Sequence, residues 1–220
     1  EYFEIKSFLS IWNQPMKGLF ISFEGIDGCG KSTQIDLLSK HFTEQKKPFV
    51  KTAEPGGTEG SNEIRKMLLK ENNFQWSVET ETLLFMAARN DHVEKVIKPA
   101  IKENKIVICD RFMDSTLVYQ GMRSSKARSL SLSLFKLIAI NPDITFLIDM
   151  DPEIALSRAL SRKTDEERFE NYGINFQYKL RKNFLDIANK HNQRIKIING
   201  DQCRETIASQ IIETITELVP

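Results

Sequence analysis

The sequence predicts an α/β fold, in which a five-stranded, mostly parallel sheet is covered by helices on both faces. Short apolar runs of strand type recur along the chain, segments with helical periodicity separate them, and no Pro/Gly-rich linker divides them. A chain of 220 residues suits one domain. We place that domain at residues 16–220 and expect residues 1–15 to be a leader or an added extension outside the fold. They carry acidic residues and lack the basic start and the small-residue cleavage site of a signal peptide.

The first strand is the apolar run LFISFE, and a helix is expected to begin near Lys31, where Ile35, Leu38 and Phe42 recur at helical spacing. A long helix is predicted over 78–104, which Pro99 should kink or divide. The last predicted helix covers 203–218, with one apolar face of Ile207, Ile211, Ile215 and Leu218. The five predicted strands are 19–24, 49–52, 106–109, 145–148 and 195–198.

The run GIDGCGKST fits the phosphate-binding template G-x-x-x-x-G-K-[ST] at every fixed position, and it lies between a predicted strand and a predicted helix. Its glycines let backbone N–H groups turn toward an anion, Lys31 would reach the β- and γ-phosphates, and Ser32 would contact Mg²⁺. The alternative is a fortuitous glycine-rich turn. The residues predicted to bind a nucleoside triphosphate are Gly25, Ile26, Asp27, Gly28, Cys29, Gly30, Lys31, Ser32 and Thr33.

Composition argues against several other classes of protein. The 31 basic and 30 acidic residues nearly cancel, so nothing favours a nucleic-acid polymer or an anionic membrane as a partner. Apolar runs are too short to span a membrane. Cys29, Cys109 and Cys203 are far apart without C-x-x-C spacing, which argues against a zinc site or a disulfide framework and favours a reduced, cytoplasmic protein.

Ligands of parallel α/β sheets bind beyond the carboxyl ends of the strands, so the loops at those ends carry the next candidates. AEPGGT follows the second strand and is equally consistent with a surface turn and with the border of a nucleotide site. DRFMDSTLVYQG follows the third, where Asp110 could serve a metal and Arg111 a phosphate. The alternative is an Asp that caps the next helix and an Arg paired on the surface.

Two further segments carry candidate side chains. In LFMAARNDH, Phe85 and Arg89 lie four residues apart on one helix face, where a ring could stack on a base and a guanidinium could bind the edge of that base. A core Phe beside a surface Arg is the alternative. The charged run RALSRKTDEERFE is expected to form an exposed lid at about 158–172, or a solvated charged loop.

In their order along the chain, these five motifs resemble thymidylate kinase (dTMP kinase) of the bacterial type over about residues 18–218. The resemblance implies the P-loop nucleoside monophosphate kinase fold with a short lid, and a homodimer. It also implies transfer of the γ-phosphoryl group of ATP to dTMP, giving dTDP and ADP, with Mg²⁺ as the cofactor. A kinase for another nucleoside monophosphate or a deoxynucleoside is the nearest alternative. A GTP-binding switch is a more distant one, because the chain has no N-K-x-D signature.

The resemblance also assigns roles. The residues matching the catalytic positions are Lys31, Arg111 and Arg162, the last as the lid arginine, and the metal positions match Ser32 and Asp110. Phe85 would stack on thymine, Arg89 would donate to thymine O4, and Arg111 would bind the acceptor phosphate. The other positions matching the dTMP site are Asp27 and Tyr119 at the sugar, Ser115, Thr116 and Gln120 near the thymine edge, and Glu54 and Pro55 in the EPGGT motif.

Two positions depart from the family pattern. Ala53 stands where the family often has Arg, so a candidate contact to the acceptor phosphate is absent or is supplied elsewhere. Glu167 replaces the Asp that usually precedes the lid residue corresponding to Arg168. The loop Asn199–Gln202, after the last strand, is expected to border adenine.

Overall fold

The computed structural model describes residues 18–69, 76–161, 169 and 172–218. The predicted sheet is confirmed: five parallel strands lie in the order β2-β3-β1-β4-β5, with the first strand at the centre. The leader, residues 1–15, lies outside the described residues. The strands are β1 (Leu19–Glu24), β2 (Phe49–Ala53), β3 (Ile106–Asp110), β4 (Ile144–Asp149) and β5 (Ile195–Asn199).

Every predicted strand is present, but four of them run one residue further at the carboxyl end. Ala53 pairs with Asp110, and Asp149 pairs with Asn199. The hydrogen-bonded ladder therefore continues past the apolar residues that mark each strand in the sequence, and it includes the polar residues at the edge of the sheet.

The predicted helix over 78–104 is not one α-helix. A π-helical turn, Val93–Ile97, interrupts it, and Pro99 lies in the first turn of the segment that follows. Proline has no N–H to donate to the preceding turn, so the regular hydrogen-bond pattern changes next to it. The helices are α1 (Lys31–Glu44), α2 (Glu59–Leu69), α3 (Val78–His92), α4 (Lys98–Lys102), α5 (Met113–Tyr119), α6 (Ser125–Ile138), α7 (Pro152–Leu160), α8 (Ile174–Lys190) and α9 (Arg204–Leu218).

Both faces of the sheet are buried, as the alternation of side chains in β1 illustrates. Ile21 and Phe23 point into a core shared with α1, α8 and α9, whereas Phe20 points to the opposite face, toward α3 and α4. The last helix follows its predicted pattern with one exception. Leu218 is 49% exposed because it ends the helix beyond the sheet. No helix in the described ranges has the length and apolar character needed to cross a membrane.

Candidate active site

The loop between β1 and α1 has the backbone shape that an anion site requires. Gly25, Gly28 and Gly30 have φ of 138°, 83° and 101°, a region that residues with a Cβ rarely adopt. Gly28 also packs against α7, where an added Cβ would lie 1.9 Å from the carbonyl oxygen of Ala155. The N-cap residue of α1 is Gly30, so no side chain caps this helix. The first amides of α1 can therefore bind an anion.

Lys31 lies over this loop and is almost fully buried. Its Nζ donates to the carbonyl oxygens of Gly25 and Ile26 at 3.1 and 3.0 Å, a position from which an ammonium group can bind a phosphate in the same loop. The side chains of Ile26 and Cys29 pack in the core instead. Any contact of those two residues with a nucleotide is therefore made by backbone atoms.

The two predicted metal ligands lie together at the carboxyl edge of the sheet. Ser32 Oγ donates to Asp110 Oδ2 across 3.2 Å. In the described part of the chain, His, Cys, Asp and Glu side chains form no cluster of three that could hold a metal alone. A hydroxyl and one carboxylate suit Mg²⁺ that takes its other oxygen ligands from phosphates and water.

Asp27 joins the phosphate loop to the segment after β3. Arg111 donates through Nη2 to Asp27 Oδ1 and through Nη1 to the carbonyl oxygen of Gly25, and Tyr119 Oη donates to Asp27 Oδ2 at 2.9 Å. The guanidinium also lies 5.1 Å from the centre of the Tyr119 ring. Burial opposes the charge on Asp27, but Arg111 and Lys31 outweigh it and lower the pKa of this carboxyl to about 2. The junction is thus an ion pair at neutral pH.

Glu24, the last residue of β1, holds the start of α5. Its Oε1 accepts from the backbone N–H groups of Phe112 and Ser115, and its Oε2 accepts from Ser115 Oγ at 2.6 Å. Ser115 Oγ in turn accepts from Arg111 at 3.1 Å. Burial, together with the nearby Asp114 carboxylate, raises the pKa of Glu24 to about 7, although Arg111 and these donors favour the charged form.

Arg89 is buried rather than on the surface, so the alternative reading of the Phe85–Arg89 pair is wrong for the Arg. Only 3% of its side chain is exposed, and Nε donates to Glu54 Oε2 at 2.6 Å. Nη1 donates to Thr116 Oγ1 and Nη2 to the carbonyl oxygen of Phe112, each at 3.0 Å. Phe85 is half-buried and lines the same cavity.

The three residues predicted near a base edge all have partners within the protein. Ser115 lies between Arg111 and Glu24, and Thr116 accepts from Arg89. Gln120 donates to the buried carboxylate of Glu81 at 2.7 Å. They therefore also orient the charged groups around them.

A single cavity of about 450 Å³ joins these groups. It reaches from the phosphate loop to the α3 side chains, so the two predicted halves of the site are continuous. The predicted site residues that line it are Asp27, Gly28, Gly30, Lys31, Ser32, Thr33, Glu54, Pro55, Phe85, Arg89, Asp110, Arg111, Ser115, Thr116, Tyr119 and Gln120.

Sequence reasoning missed some of the lining, notably Arg65, Leu69 and Phe112. Arg65 Nη1 donates to the carbonyl oxygen of Pro55 at 2.8 Å, which puts a guanidinium on the wall where Ala53 offers no charge. Arg65 and Leu69 are four residues apart on α2, so helical spacing after EPGGT was a usable signal.

The lid prediction is only partly within the described residues. Arg158 belongs to α7 rather than to a loop, and it lines the cavity with Phe169. The helix continues to Leu160 because Ser161 still bonds back to Ser157. Arg162, Glu167 and Arg168 lie outside the described residues. The loop Asn199–Gln202 does not contribute to this cavity, so its place at adenine stays a prediction.

Comparison with known proteins gives consistent matches. The family model for thymidylate kinase matches residues 23–211. The chain is 47% identical over 199 residues to a thymidylate kinase of Ruegeria pomeroyi, covering 90% of this chain and 94% of the relative. It is 46% identical to one from Dinoroseobacter shibae, covering 90% and 97%. Its structure is similar to the crystal structure of thymidylate kinase from Ehrlichia chaffeensis, with a TM-score of 0.72, 36% identity, and coverage of 90% and 98%.

Proposed function

The chain belongs to the thymidylate kinase family, and we propose that its cavity binds ATP and dTMP end to end, so that the two phosphate groups meet at Asp27 and Arg111. The enzyme phosphorylates dTMP to dTDP with ATP as the phosphoryl donor. The observation that carries this proposal is the continuity of one cavity from the phosphate loop to Arg89. Asp27 belongs to the loop, yet it bonds to side chains of the acceptor half.

The donor half of the cavity is the phosphate loop. We assign the β- and γ-phosphates to the amides of Gly28–Ser32 and to Lys31, whose ammonium group would exchange its carbonyl partners for phosphate oxygens. Ser32 and Asp110 would hold Mg²⁺ together with phosphate and water oxygens. When bound, the ion would neutralise charge on the transferring phosphoryl group.

The acceptor half lies between α3 and α5. Arg111 would bind the 5′-phosphate of dTMP and hold an oxygen of that phosphate in line with the γ-phosphorus. A bond forms between this oxygen and the γ-phosphorus as the bond to the β–γ bridging oxygen breaks, and ADP leaves. The acceptor oxygen is already ionised near neutral pH, so the mechanism needs no strong general base.

The nucleoside of dTMP would lie deeper in the cavity. Phe85 would stack on thymine, Arg89 would donate to O4, and Tyr119 would lie against the deoxyribose. Hydrogen bonds within the protein hold two of these side chains in place, since Arg89 and Tyr119 each donate to a carboxylate. Preorganised donors of this kind bind a ligand without the cost of ordering a mobile side chain.

A lid arginine would complete the charge around the transferring group. Arg158 lines the cavity from α7, and Arg162, four residues later in the sequence, is our candidate for direct contact with the phosphoryl group. Closure of the lid would exclude water, which otherwise competes with dTMP as the acceptor.

The test is an acceptor panel with two variants. ADP formation should depend on dTMP and should be faster with dTMP than with dUMP, dCMP, dGMP, UMP or thymidine; a clear preference for another acceptor favours a different nucleotide kinase. Lys31→Ala should lower kcat by orders of magnitude and leave the fold intact. Arg89→Ala should raise KM for dTMP while KM for ATP stays constant. A rise in KM for ATP alone would place the base pocket elsewhere.

We also propose a cytoplasmic homodimer, as the family resemblance implies. Helix α3 packs against both α2 and α6. These three helices carry exposed apolar side chains, which are Met67, Leu83, Leu132 and Leu137. Cys29, Cys109 and Cys203 are free thiols, as expected in a reducing compartment. Light scattering should give twice the chain mass of 25.4 kDa, and Leu83→Glu should lower that value toward the monomer.

A further inference from the structure

Behind Arg89, a chain of buried polar groups leads away from the cavity. Glu54 uses both carboxylate oxygens: Oε2 accepts from Arg89, and Oε1 accepts from His92 Nδ1 at 2.9 Å. The other ring nitrogen of His92 lies 2.7 Å from Thr52 Oγ1. Arg89, Glu54 and His92 have 3% or less of their side chains exposed. This series of hydrogen bonds thus runs from the end of β2 to the cavity wall, and its three charged or ring side chains are shielded from solvent.

The partners of His92 fix the roles of its two nitrogens. A carboxylate only accepts, so Nδ1 carries the proton that Glu54 binds. In a neutral ring Nε2 then accepts from the Thr52 hydroxyl. The buried charges of Arg89 and Glu54 balance each other, and the Nδ1 N–H of His92 satisfies the carboxylate oxygen that Arg89 leaves available.

Arg89 is held on several sides by these bonds. Besides Glu54, its guanidinium donates to Thr116 and to the carbonyl oxygen of Phe112, and it lies 5.1 Å from the centre of the Phe112 ring. Nη2 has a second N–H that donates to no described residue, and Arg89 lines the cavity. The orientation of Nε toward Glu54 therefore sets the direction in which Nη2 faces a bound ligand.

The EPGGT motif provides room for this arrangement. A Cβ on Gly57 would lie 2.3 Å from His92 Cδ2 and 2.5 Å from Nε2, far inside contact distance. The imidazole therefore packs directly on the loop backbone. Glu54 and Gly57 act on the same ring: Glu54 accepts a hydrogen bond from it, and Gly57 leaves space for it.

We propose that His92 is a positioning residue for the acceptor base: through Glu54 it fixes the Arg89 guanidinium in the orientation that binds dTMP. The inference rests on the proposed contact between Arg89 and thymine. His92 touches neither nucleotide, and its effect on dTMP passes through Arg89 alone.

Two substitutions separate the ring nitrogens. In His92→Asn, the amide nitrogen takes the place of Nδ1 and keeps the bond to Glu54; in His92→Gln, it takes the place of Nε2, and that bond is lost. We expect His92→Gln to raise KM for dTMP about tenfold, the effect of one hydrogen bond to a charged group. KM for ATP and kcat should change less than twofold, and His92→Asn should restore most of the loss.

A double-mutant cycle with Arg89→Ala tests the route of the effect. If His92 acts through Arg89, His92→Gln should change KM for dTMP less than twofold once Arg89 is absent. Additive effects, an equal rise in KM for ATP, or His92→Asn behaving like His92→Gln would each overturn the inference. If Arg89→Ala alone leaves KM for dTMP unchanged, the proposed base contact fails, and the inference fails with it.

Thr52→Val provides the same test if His92→Gln does not fold. It removes only the hydroxyl that is hydrogen-bonded to Nε2 and leaves the His92–Glu54 bond in place. We expect KM for dTMP to rise about threefold and this rise to vanish in the Arg89→Ala background. An unchanged KM for dTMP in folded Thr52→Val protein would count against the proposed role of His92.

Discussion

Replacement of Gly57 by alanine should disturb the acceptor half of the site without touching a ligand. Gly57 has φ of 90°, and a Cβ there would meet the His92 ring at 2.3 Å. Gly173 offers a matched control. Its φ is 80°, and a Cβ there would have no heavy atom of a described residue within 4 Å. Both alanines incur strain from a positive φ, but only Gly57→Ala displaces a described neighbour.

The structure gives the size of the difference. A backbone conformation at positive φ costs alanine about 1–3 kcal/mol, and a cost of this kind applies to both variants. At Gly57 the ring must also move by about 1 Å to reach ordinary contact distance, which lengthens the 2.7 and 2.9 Å bonds of His92. Weakening a bond to the buried Glu54 carboxylate costs about 1–3 kcal/mol. We therefore expect a destabilisation of about 1–3 kcal/mol for Gly173→Ala and about 2–6 kcal/mol for Gly57→Ala.

Urea denaturation of both variants and the wild type measures these free energies. Steady-state kinetics then shows whether the moved ring matters for binding, since KM for dTMP should rise in Gly57→Ala while KM for ATP stays constant. Equal destabilisation of the two variants would mean that His92 gives way at no cost. The tight packing of EPGGT on the imidazole would then have no energetic role.

Three further predictions concern Glu24, Asp110 and Tyr119. Because burial and Asp114 raise the pKa of Glu24 to about 7, the stability that this residue contributes is complete below pH 4.5 and is lost as pH rises to 7. Between pH 5 and pH 8, the free energy of unfolding of Glu24→Gln, measured in urea, should therefore rise by about 2–3 kcal/mol relative to that of the wild type. Parallel pH curves for the two proteins would contradict this. Asp110→Asn should raise the Mg²⁺ concentration needed for half-maximal activity and leave KM for dTMP unchanged, so a Mg²⁺ titration that matches wild type would remove Asp110 from the metal site. Tyr119→Phe removes one hydrogen bond to Asp27 and should raise KM for dTMP about threefold to tenfold in steady-state assays. An unchanged KM would mean that the Tyr119 ring contributes by packing and not through its hydroxyl.

The strands and the phosphate loop were predictable because their signals are local. Apolar runs mark β1–β5 to within about one residue at each end, and the spacing of glycines with Lys31 specifies the loop. The division of the 78–104 helix was anticipated from Pro99, but its π-helical form was not. Helix periodicity does not reveal how the backbone compensates for a missing N–H.

The pairing of side chains was not predictable from local pattern. Asp27 meets Arg111 and Glu54 meets His92 only after the sheet has placed their strands side by side. For His92 a signal was present, since it follows Arg89 by three residues and shares its helix face. Spacing gives the shared face, but only the fold supplies the carboxylate between them.

Arg89 and Arg111, the two arginines that our proposal assigns to dTMP, share one feature and differ in another. Each guanidinium is paired with a carboxylate in the free protein, Arg89 with Glu54 and Arg111 with Asp27. A cation in a partly dry cavity would otherwise be costly. The difference lies in burial: Glu54 is enclosed and stays with its arginine, whereas Asp27 is 24% exposed at the junction of the two nucleotide sites. A bound phosphate can therefore compete with Asp27 for Arg111, while Arg89 keeps its carboxylate and offers only its remaining N–H. Arg111 is therefore suited to a charged group and Arg89 to a neutral carbonyl. The phosphate and the base of dTMP differ in this same chemical respect.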